Sequence, residues 1–149
     1  MAISNELEET QVFALEVGRT HLMCSLVERH LKHLSRSHRI TEWLEFKASE
    51  ITMGAAISRM KKQYSLDGEF VGALHEFRLN RNKFVHEIWD LEDSWLGIEE
   101  GRRNALSFIV ALYATASTLN RILSPHVIER YKCTGQTPPD WRPIFIPTP

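Results

Sequence analysis

Proline and glycine are scarce where they would matter most. Six prolines and seven glycines occur in 149 residues, and no proline precedes Pro125, so the first 124 residues are free of the strongest helix breaker. Cysteine is nearly absent. Cys24 and Cys133 make no disulfide framework, which fits a reducing, cytoplasmic setting. No sign of charge dominates: eighteen Lys and Arg against nineteen Asp and Glu leave a net charge of −1. That balance excludes a wholesale polyelectrolyte binder and confines any nucleic-acid contact to a local basic patch. Long apolar runs are missing too. The longest, residues 105–119, is broken by Ser107, Thr115, Ser117 and Thr118 and is too short to span a bilayer, so no membrane is expected as a partner. The acidic start, MAISNELEET, is not a signal peptide. These absences exclude a secreted mini-protein, a membrane protein and a disordered tail. A cytoplasmic domain, large enough to fold without metal or cofactor, is the expectation.

What is present has helical period throughout. Asn5 with Glu8 reads as a capping box, followed by an apolar stripe of Val12, Leu15, Leu22, Met23, Leu26, Val27, Leu31 and Leu34 that predicts one helix to about Ser35. Residues 36–40, RSHRI, form a connection. A second helix starts at Thr41 or Ser49 and runs through Met53, Ile57, Met60 and Tyr64, with close helix packing as a reason for Gly54 in its interior. After a turn, SLDG, a third helix covers about residues 69–89. An acidic stretch without a basic residue, 87–100, holds the next connection, and a fourth helix covers about 98–123. Ser124-Pro125 places an N-cap before a proline and restarts a short fifth helix to about Lys132. The fold class expected is therefore all-α: an up-and-down bundle of four main helices, a short fifth, and an extended Pro-rich tail. The domain is expected over residues 1–133 and the tail over 134–149.

The third helix carries the chemistry. With Leu74 at 0° on an ideal helix, Phe77, Phe84, Val85 and Ile88 share an apolar face, and Arg81 falls at about 340°, in its middle. A guanidinium there cannot be neutralised and needs a carboxylate, a set of carbonyls, a second chain or a phosphate. Along one edge of the face, between about 40° and about 120°, lie Arg78, Asn82, His75 and His86. A histidine that titrates near neutrality can move a proton, an arginine in a dry setting can stabilise phosphoryl charge, and an asparagine can orient either. The same residues also fit a plain bundle, in which Arg81 pairs with a glutamate of another helix and His86 donates to a backbone carbonyl.

The string RNKFVH, residues 81–86, within LHEFRLNRNKFVHE, resembles the Arg-polar-…-His motif of the HEPN superfamily of small all-helical domains. The Thr52-Met53-Gly54 stretch resembles a Thr-apolar-Gly pattern of the preceding helix in such domains. The likeness covers residues 5–123. It implies a homodimer whose two motifs face one cleft. In catalytic members RNA is cut without metal by attack of the 2′-hydroxyl, leaving a 2′,3′-cyclic phosphate. Carried over, Arg81 would stabilise phosphoryl charge, His86 would be general acid or base and Asn82 would orient. Arg78 and His75 would be secondary substrate contacts. The family also implies a toxin, defence or stress setting, with RNA as substrate and a cognate antitoxin or nucleotidyltransferase as partner, or else a non-catalytic module that binds a protein or nucleotide.

Weaker features have simpler readings. The basic stretch from Arg19 to Arg39, with His21, His30, His33 and His38, reads as a solvated helix with a cationic end that suits the macrodipole. His30 and His33 lack a third metal ligand at suitable spacing. Ile144-Phe145-Ile146 reads as a cover for a groove of its own bundle, and Trp89, Trp95 and Trp141 as packing residues.

Overall fold

The computed structural model describes residues 2–36, 47, 50–88 and 99–138. Four helices make up the described fold: α1 (Ala2–Leu34), α2 (Met53–Tyr64), α3 (Gly68–His86) and α4 (Glu99–Cys133). Among the described residues there is no strand. The all-helical expectation holds. Its details need four corrections.

First, α1 begins at Ala2, so Asn5 lies inside the helix rather than capping it. Second, α2 is capped by Thr52, whose Oγ1 accepts from the N–H of Ala55 at 3.2 Å, and not by Thr41 or Ser49, which lie outside the described residues. Gly54 is consequently in the first turn, where its helix cost is smaller than in the interior. Third, residues 124–132 do not form a separate fifth helix. Helix α4 continues through Pro125 to Cys133. Pro125 is exposed, so its ring points away from the bundle, and Leu119, Leu123, Val127 and Tyr131 keep one buried stripe running past it. Burial of that stripe offsets the one backbone hydrogen bond a proline cannot make. The helix then stops in a Schellman arrangement. Gly135 takes φ +70°, its N–H donates to Lys132 O, and the N–H of Gln136 donates to Tyr131 O. Of the expected tail, residues 139–149 are outside the described residues, as are Trp89, Trp95, Trp141 and His38.

The fourth correction concerns topology. Thr20 Oγ1 donates to Ile109 O, His30 pairs with Asn120, and Arg130 donates to Arg36 O. Residue numbers on α1 and α4 rise together, so these helices run parallel, whereas an up-and-down bundle would make them antiparallel. Helix α2 starts beside Glu28 and Lys32 and finishes beside Leu34 and Ser35, to which Tyr64 and Gln63 donate, so it rises with α1. Among the described helices only α3 returns, and α4 rises again. The core joins all four helices, with Val27, Leu31, Ile57, Leu74, Phe77, Phe84, Ile109 and Val127 fully enclosed. By length and composition α4 could also cross a membrane.

Candidate functional site

Helix α3 positions the candidate residues. Asp67 caps it by accepting from the N–H groups of Glu69 and Phe70. Val71, Leu74, Phe77 and Phe84 then bury one face. That register turns Arg78, Arg81 and Asn82 toward α1 and the start of α2. There they line a cleft of about 520 Å³ together with Glu28 and Lys32 of α1 and Glu50 to Gly54 of the α2 entry.

Arg81 has found a carboxylate. Its Nη2 donates to Glu28 Oε2 at 2.7 Å, and its Nη1 to Asn82 Oδ1 at 3.3 Å. Lys32 Nζ stands 2.8 Å from the other Glu28 oxygen. The Arg81 and Glu28 side chains are 25% and 18% exposed. A largely desolvated carboxylate shared by two cations is expensive to break at any one partner. Cys24, buried beside this pair, is held as a neutral thiol: burial pushes it up to about 12, eased by Arg81 and reinforced by Glu28. It is not a nucleophile at neutral pH.

Arg78 is the contrasting group. Among the described residues it makes no hydrogen bond or ion pair, and its Nε is buried without a partner. Its guanidinium lies over Gly54, where a Cβ would meet Nη1 at 3.5 Å and Cζ at 3.9 Å. The reason for Gly54 is thus an arginine side chain rather than a second helix backbone, and the contact leaves room for a methyl group. The first turn of α2 adds partial positive charge on the same side of the cleft.

The structure brings together only part of the expected set. Arg78, Arg81 and Asn82 share the cleft. His86 is exposed at the end of α3, five residues from Arg81 and so about 140° around the helix. His75 is half-buried and does not line the cleft. Glu28, Lys32 and Glu50 are charged cleft residues that sequence reasoning passed over. One signal pointed to the first: Glu28 is the lone acid between Arg19 and Arg39.

His30 and His33 are structural. His30 Nε2 lies 3.0 Å from Asn120 Oδ1, and the His33 ring packs 5.6 Å from that of Tyr131. Among the described residues no group of three His, Cys, Asp or Glu could hold a metal. No family model, no curated protein and no solved structure matches the chain.

Proposed function

We propose that the chain is a HEPN-like helical module that binds a phosphate-bearing ligand, RNA or a nucleotide, in the cleft between α1, α2 and α3. The observation that carries this reading is the convergence of Lys32, Arg78, Arg81 and Asn82 on one space of about 520 Å³, which has the dimensions of a small-ligand site. Binding suits the geometry better than cleavage within a single chain. A general acid or base must come within about 3 Å of the proton it moves, and His86, exposed one turn beyond Asn82 at the end of α3, does not line the cleft. Arg81 would also have to leave Glu28 to stabilise phosphoryl charge.

The endoribonuclease reading draws on one observation. His86 is exposed, hence open to a second copy of the chain. In a homodimer with facing motifs, Arg81, Asn82 and His86 would then have the roles the resemblance gives them, and an antitoxin or nucleotidyltransferase would be the controlling partner. The test incubates the protein with mixed RNA in EDTA, beside His86→Ala and Arg81→Ala, with solution mass measured in parallel. The binding module leaves RNA bound and intact, equally in the His86 variant. Cyclic-phosphate ends that vanish in His86→Ala, from a dimeric protein, would replace it with the nuclease. A monomer that neither binds nor cuts would reduce the chain to a helical interaction protein with Arg81 in a structural ion pair.

A further inference from the structure

We infer that the cleft takes a terminal phosphate, a phosphomonoester group, and that Arg78 is the side chain that holds it. This rests on the phosphate-binding reading above and divides the labour among its cations. Lys32 and Arg81 already face Glu28 at 2.8 Å and 2.7 Å. A ligand oxygen gains from either only by displacing a carboxylate at contact distance. Arg78 has no such competitor among the described residues, and its Nε is already out of solvent with nothing to donate to. That Nε is shut off from the open cleft as well, but the terminal N–H groups and the charge of the unpaired guanidinium are unmet, and an anion in the cleft satisfies those.

Charge chooses between phosphates. The cleft lining holds three cations, Lys32, Arg78 and Arg81, against two carboxylates, Glu28 and Glu50. The surplus is small and concentrated at Arg78. A phosphodiester brings one negative charge, whereas a terminal phosphate carries roughly 1.5 to 2 at neutral pH and gains in proportion. Geometry agrees. Binding along an RNA backbone needs cations spaced along a surface. Here they converge on one space, in a chain whose net charge is −1. The occupant is therefore a single phosphate end, from a free mononucleotide or from the 5′ end of an RNA.

The test uses the full chain and four probes: AMP, adenosine, a ten-nucleotide RNA with a 5′-phosphate, and the same RNA with a 5′-hydroxyl. Calorimetric titration is expected to show each phosphorylated probe binding at least tenfold tighter than its phosphate-free counterpart. Arg78→Gln should erase that difference, Arg78→Lys should restore part of it, and Arg121→Gln, on the exposed side of α4, should leave it alone. AMP at least as tight as the phosphorylated RNA identifies a nucleotide ligand; tighter RNA identifies an RNA end. The wild-type comparison decides even where a variant folds poorly. If 5′-hydroxyl RNA binds as tightly as 5′-phosphoryl RNA and Arg78→Gln weakens both, the terminal-phosphate inference falls while the cleft reading stands. If no probe binds, or Arg78→Gln and Lys32→Gln bind every probe like the wild type, the cleft reading falls with it.

Discussion

His30 and His33 lie on adjacent turns of α1, both buried, and both are held neutral at ordinary pH. Burial is the largest cause for each, bringing His30 down to about 4 against a partial rise from Asn120, and His33 to about 3 with Arg36, Arg29 and His30 adding to the fall. The unfolded chain takes up these protons near pH 6.5, the folded chain only near 4 and 3. Stability is therefore full above pH 6.5 and is lost as pH falls toward those folded values. The expected slope is roughly 1 kcal/mol per pH unit for each histidine. Urea unfolding at pH 7 and pH 5 measures it, and His33→Phe should flatten the pH dependence; an unchanged slope would show that His33 is not the group responsible. Arg81 shows how far such residue-level reasoning reaches from sequence. Its place on an apolar face already demanded a partner. Which partner depended on how α1 packs against α3, and angular position on one helix does not contain that.

Elements were more legible in their cores than at their ends. The apolar period located all four helices, because burial of Leu74, Phe77, Ile109 and Leu112 repeats with the turn of the helix. The ends went differently. Several Ser and Thr residues could cap α2, and the one that does is Thr52, whose choice is made where the entry strand of chain meets the cleft. Pro125 is the sharper case. Local rules end a helix there, yet the stripe from Leu119 to Tyr131 gains more by staying on α1 than one hydrogen bond costs. Pro125→Ala should restore that bond in a backbone already helical, raising stability by about 1–2 kcal/mol after the proline's restriction of the unfolded chain is deducted. Chemical denaturation checks the sign, and a loss of stability would mean that the proline's restriction of the unfolded chain outweighs that bond.

At the scale of the whole molecule, periodicity and burial part company along α1. Val12, Leu15 and Leu22 belong to the same stripe as Leu26 and Leu31, but they are 53%, 60% and 48% exposed while Leu31 is fully enclosed. Leu31→Ala should cost about 2–5 kcal/mol and Leu15→Gln less than about 0.5 kcal/mol, read from denaturant midpoints. A large loss at Leu15 would reveal a second chain covering that face. The same scale decides the direction of the helices, since α1 and α4 pair in parallel through contacts between residues about 90 positions apart. By itself the sequence determined that the chain is helical, where its apolar faces lie, and that Arg81 needs an opposite charge. Those properties are local, set by a turn of about 3.6 residues and by the desolvation cost of a guanidinium. Packing in three dimensions made Glu28 meet Arg81, left Arg78 facing the cleft over Gly54, and kept His86 out of the cleft lining. Those depend on contacts between residues tens of positions apart, whose register is chosen by the packing of the whole core.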